Sequence, residues 1–160
     1  MAEKKSINLV ISNNQYSEKL IPTGQTYKRV LILEDNIEVT TEGFLYNKGK
    51  SMYIIYDEVA DGGLENTKTI LKLEGEDKLQ IRRYGKDDGA GMMDMRLEEG
   101  VLNITRYIIP TGNLEMEIYT NKIENSLDED GFGKISADYK IKMEPYVNLR
   151  NKLEIEVKPC

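Results

Sequence analysis

Residues Thr40–Gly85 read TTEGFLYNKGKSMYIIYDEVADGGLENTKTILKLEGEDKLQIRRYG, four extended runs separated by turn residues, with no helical period among them. From Thr67 to Glu74, residues Thr67, Thr69, Leu71 and Leu73 share one face while Lys68, Ile70, Lys72 and Glu74 share the other, the period-2 signature of a half-buried strand. After the turn Gly75-Glu76-Asp77 the pattern resumes with Leu79 and Ile81 inward and Gln80 and Arg82 outward, and the same parity carries Arg83 inward. An inward guanidinium needs acceptors, and Glu58 is the candidate partner. Met52 to Glu58 is apolar on both faces, as expected of a strand covered on both sides. Asp61-Gly62-Gly63 supplies the positive φ angles of a tight reversal.

Working outward toward the N-terminus, Ile37 to Tyr46 is extended, with Gly43 reading as a bulge. Asp35-Asn36 joins this run to the β-branched and aromatic stretch Tyr27 to Leu33, so the two form either a hairpin or one long bent strand. Asn13 to Gly24 loses its period and contains Pro22, which makes residues 13–33 a loop or hairpin excursion. Ile7, Leu9 and Ile11 alternate as a first strand. Toward the C-terminus, Met93, Met95 and Leu97 alternate with Asp94 and Arg96, and Val101 to Ile109 follows. Leu114, Met116, Ile118 and Thr120 form a further inward set, as do Ile135, Ala137, Tyr139, Ile141 and Met143, and finally Leu153, Ile155 and Val157. Nine or ten strands joined mainly by short turns predict an all-β fold, a single antiparallel meander over residues 1–160. Rolling into a closed barrel disposes of the exposed edges. A two-sheet sandwich is the structural alternative.

Composition narrows the chemistry. A chain of 160 residues is long enough for one domain with a proper core. Its net charge of −6, from 28 acidic and 22 basic residues interspersed, argues against nucleic acid as a partner. No apolar stretch approaches the ~20 residues of a membrane span, and the opening MAEKKSINLV lacks a secretory h-region, so the expectation is a cytoplasmic protein with no membrane partner. With no histidine and a single cysteine, Cys160, imidazole- or thiolate-built metal sites and His-dependent nucleophilic couples are excluded. Cys160 itself, as the last residue, reads as structurally unimportant. Asp128 to Gly133 resembles part of a calcium loop, but Ser126 and Ala137 occupy that loop's first and twelfth positions, and Asp-Gly is itself a hairpin signal. No metal and no cofactor is expected. Carboxylate-only catalysis by Glu42, Asp57 and Glu58 ranks last among the functional readings.

Several short motifs occur together and in order: Thr41-Glu42-Gly43, the Y-x-E of Tyr56 and Glu58, TKTILKL from Thr67, the R-x-G of Arg83 and Gly85, the M-x-M of Met93 and Met95 followed by EEG, Y-x-x-P-x-G from Tyr107 to Gly112, and RNKLEIEV from Arg150. Together they resemble the DUF1934 family over nearly the whole chain. The resemblance implies a calycin-like (lipocalin-like) β-barrel of about 8–10 strands in a family of unknown function. The sequence departs from the family at Met95, where an aromatic is usual, at Ile109, where threonine is usual, and in its long 13–33 segment. It also lacks tryptophan, and with it the G-x-W signature of true lipocalins.

Arg83, and Asn151 by the parity of Leu149, Leu153 and Ile155, are inward polar residues that also match the family pattern. Met52, Met93, Met95, Met116 and Met143 all take inward positions and form a soft lining. The leading expectation is therefore a barrel that binds a small, mostly apolar and possibly acidic molecule through Arg83, Glu58, Tyr56, Met93, Met95, Met116 and Asn151. The alternative is a protein-interaction or structural module that uses outward residues such as Val10, Ile70 and Tyr119.

Overall fold

The computed structural model describes residues 4–57, 67–85, 93–109, 112–143 and 147–160, the side chains of 67, 85, 93, 106–109, 113, 114 and 147 excepted. Ten strands follow one another: β1 (Lys5–Thr23), β2 (Thr26–Lys48), β3 (Ser51–Asp57), β4 (Thr67–Glu74), β5 (Lys78–Gly85), β6 (Met93–Glu98), β7 (Leu102–Ile109), β8 (Gly112–Asn125), β9 (Gly133–Met143) and β10 (Val147–Pro159). They form one antiparallel sheet in the order β6-β5-β4-β3-β2-β1-β10-β9-β8-β7, with no helix among the described residues. The first and last strands are neighbours, from Ile7 opposite Pro159 to Ser17 opposite Leu149. A six-stranded wing (β1–β6) and a four-stranded wing (β7–β10) therefore meet at the β1–β10 seam, and the whole is a β-barrel in class.

The wings curl toward each other until β6 approaches β7 and β8, where side chains substitute for a main-chain ladder. The Asn103 amide donates to the Arg96 carbonyl at 3.0 Å, and the Thr105 hydroxyl donates to the carbonyl of Asp94. At the lower end of this gap the Gly100 amide donates to the Thr120 carbonyl at 2.8 Å, and the Ile123 amide to Glu99 Oε1 at 3.2 Å. Such bonds quieten edges that would otherwise expose unpaired backbone.

The alternation in the sequence is realised as a filled interior. Leu71, Leu73, Ile81, Ile118, Ile135, Tyr139, Leu153 and Ile155 are all buried, and Ile141 packs partly buried against them. Each such aliphatic side chain contributes about 1.5–3 kcal/mol on leaving water, which is why strand parity is fixed so firmly.

Two open alternatives resolve and one local expectation changes. Of a loop or a hairpin excursion, residues 13–33 are the hairpin, a ribbon that continues β1 and β2 and turns at Gly24, where φ is 72°. Pro22 is tolerated because β10 leaves β1 at Ser17, so beyond that point one edge of β1 has no paired strand among the described residues. Of a hairpin or one long bent strand, Tyr27 to Tyr46 is the single strand: Asp35-Asn36 does not reverse the chain, and the pairing slips register between Gln15 and Tyr16. Gly43 is not a bulge, since its pairing with both Ile7 and Tyr56 is regular. A Cβ there would lie 2.6 Å from the Ile55 carbonyl oxygen and 3.1 Å from Leu9, so close packing of β3 demands glycine. The expected turn at Asp61-Gly62-Gly63 lies outside the described residues.

Candidate functional site

Polar side chains enter the apolar interior in two groups. On one wing Tyr56 (β3) pairs with Thr69 (β4), which pairs with Arg83 (β5). On the other, Thr120 (β8) pairs with Tyr139 (β9), which pairs with Asn151 (β10). Directly paired residues share a face, with Cβ atoms about 4.5–5.5 Å apart, so each trio is a contiguous row. Thr69, Thr120 and Asn151 are fully buried, Tyr139 and Tyr56 nearly so, and Arg83 is half-buried. The rows face each other: burial pushes the Tyr139 phenol up to about 12, and the Arg83 guanidinium acts in the opposite direction.

Satisfaction of these groups is uneven. Tyr56, Thr69 and Arg83 all have interaction partners. Asn151 Oδ1 accepts from Asn13 Nδ2 at 3.4 Å, but Asn151 Nδ2, Asn13 Oδ1 and Thr120 Oγ1 are buried with no hydrogen-bond partner. Leaving such an atom unpaired costs about 1–3 kcal/mol.

Of the residues singled out in the sequence, Arg83, Tyr56 and Asn151 do face the interior. Glu58 lies outside the described residues, as does the Met93 side chain. Met95 and Met116 are buried members of the core, and Met52 and Met143 pack partly buried against it. Thr69, Thr120 and Tyr139 join the polar rows although the sequence reading placed them only as inward strand positions. Their signal was present in that parity, a hydroxyl where the neighbours are Leu and Ile.

The remaining polar features do not build a competing site. The Asp128 carboxylate accepts from the amides of Asp130 and Phe132 at 2.9 and 3.0 Å, closing its own hairpin loop. Among the described residues no three acidic or thiol groups converge as metal ligands. Clefts of about 380 Å³ by Arg82 and Arg96 and about 360 Å³ by Asp138 and Lys152 open on the outer surface, where the neighbouring charges are largely ion-paired. Val10, Ile70 and Tyr119 stand on separate strands and do not adjoin in the sheet. No described helix is long and apolar enough to cross a membrane.

A meander rolled around a filled interior, with a polar breach in its lining, defines a β-barrel protein. The chain belongs to the family described as "Domain of unknown function (DUF1934)", which it matches over residues 25–155. It is 34% identical over 113 residues to the uncharacterized beta-barrel protein YwiB of Bacillus subtilis (strain 168), an alignment covering 68% of this chain and 74% of that protein. It also superposes on the crystal structure of the B. subtilis ywiB protein with a TM-score of 0.69 and 24% identity, covering 98% of this chain and 93% of that one. The structural likeness supports the barrel architecture.

Proposed function

We propose that this barrel binds a small molecule carrying an anionic group, held between the Arg83 and Tyr139 rows. The observation that carries the reading is the pair of fully buried, partnerless atoms Asn151 Nδ2 and Thr120 Oγ1 beside Tyr139. Folds rarely retain such atoms unless a water or ligand completes them. A cation facing the same space favours a guest with acceptor oxygens over water alone. Because Met95, Met116 and the aliphatic residues around them are packed into the core, the guest is compact and its recognition polar. In place of the methionine lining expected for a mostly apolar guest, the groups offered to it are the hydroxyl and amide of Thr120 and Asn151. A calycin-type mouth would admit it from the arm-bearing end of the barrel, an argument by fold analogy.

The test is isothermal titration of short mono- and dicarboxylates and of fatty acids, with native mass spectrometry of the purified protein. Saturable binding of a short carboxylate is expected, weakened about 10-fold or more in Arg83→Met and Asn151→Leu, as befits a charge-assisted contact of about 1.5–3 kcal/mol. No saturable binding of any of them, or variants that bind as wild type does, would overturn the reading and leave buried water as the occupant.

A further inference from the structure

The ribbon formed by residues 18–33 leaves the barrel as two strands only, and an isolated two-stranded hairpin is at best marginally stable in water. It also exposes a row of large apolar side chains: Leu20 at 63%, Tyr27 at 70% and Leu33 at 54%. The pairings Tyr16–Leu33, Leu20–Arg29 and Pro22–Tyr27 put these on one face of the ribbon, with Tyr16 and Glu18. That face continues the outside of the barrel, because Glu18 reaches Lys140 on β9 at 3.1 Å.

The register then traces one line across the outer surface. Leu33 pairs with Tyr16, Tyr16 with Arg150, Arg150 with Lys140, Lys140 with Tyr119 and Tyr119 with Leu102. The middle of this line is ion-paired, by Arg150 with Asp138 at 2.7 Å and Lys140 with Glu18. Its far end is apolar again: Leu102, Ile104 and Tyr119 are 55%, 59% and 40% exposed. One face thus carries two apolar ends around a charged centre.

The structure assigns this face to self-association: we propose a two-fold pair in which the arm of each copy lies over the β7–β8 end of the other. Such a surface is self-complementary under a two-fold axis through its centre, the condition for an isologous dimer. Charge agrees with the pairing, because Arg29 stands opposite Leu20 on this face of the ribbon and Glu117 stands opposite Ile104 at the β7–β8 end. The six exposed side chains, Leu20, Tyr27, Leu33, Leu102, Ile104 and Tyr119, are each 40% or more exposed and two are aromatic, the kind of side chain that interface cores bury.

Sedimentation velocity over a wide concentration range tests this. A monomer–dimer equilibrium is expected, weakened about 10-fold or more by Leu20→Glu and by Ile104→Glu but not by Phe44→Glu, another exposed apolar residue off this line. A second arm, in a Cys160→Ser background, mixes Leu20→Cys protein with Ile104→Cys protein under mild oxidation. A disulfide-linked pair should form in the mixture well above either protein alone, a result that holds even if a glutamate variant fails to fold. A chain monomeric at every concentration, a dimer indifferent to both substitutions, or a mixture that cross-links no better than its components would overturn the proposal.

Discussion

Tyr139 on β9 and Arg83 on β5 lie six strands apart in the sheet, yet the guanidinium is close enough to oppose the rise that burial imposes on the phenol. That electrostatic influence across the interior is what the rolling of the sheet achieves. It brings a cation from one wing to the hydroxyl and amide groups of the other, and the candidate site exists only because of it.

The same relationship gives an alkaline prediction. The folded-state pKa of Tyr139, about 12, exceeds the ordinary value near 10, so its contribution to stability is complete below pH 10 and is lost as pH rises toward 12. Tyr139→Phe should therefore flatten the loss of stability between pH 10 and 12. Paired denaturant melts measure this, and an absorbance titration should show one of the 10 tyrosines ionising last in wild type. Equal slopes in both proteins would refute it.

Neighbouring arginines should behave differently. Arg83 faces the interior, whereas Arg82 is exposed and lies 3.7 Å from Asp94. Arg83→Met should cost about 3 kcal/mol, since the group that the guanidinium interacts with is left uncompensated. Arg82→Met should change stability by about 0.5 kcal/mol or less. Urea midpoints decide, and equal effects would show that Arg83 is not anchored inside.

Gly43→Ala should destabilise by about 2 kcal/mol, because the new methyl must displace the Ile55 carbonyl from 2.6 Å. Alanine at Gly24, where nothing lies within 4 Å, meets only the backbone strain of φ 72° and should cost about 1 kcal/mol. Thermal melts of the two variants check the order.

Arg150 holds Asp138 through Nε to Oδ1 at 2.9 Å and Nη2 to Oδ2 at 2.7 Å, which keeps that carboxyl below its usual range. The pair's contribution is then present above about pH 4 and lost as pH falls through the depressed folded-state value. In this partly exposed setting Asp138→Asn should cost about 1 kcal/mol at neutral pH, a difference that shrinks below pH 4. A gap that stays constant down to pH 2 would show that the ion pair is not its source.

Period-2 alternation by itself determined the strands, their inward faces and hence the core, because a slip of one residue would turn Leu71, Ile81 or Ile155 to water. It also placed Arg83 and Asn151 inside, since parity needs no knowledge of partners. Tertiary structure decided everything that depends on which strands meet. No local pattern showed that Gly43 is required by the backbone of β3, which of a loop or a hairpin residues 13–33 adopt, or that Arg83 and Tyr139 line one interior. Those outcomes follow from which strands pair and how the two wings curl together, and contacts across strands leave no periodic trace in the sequence.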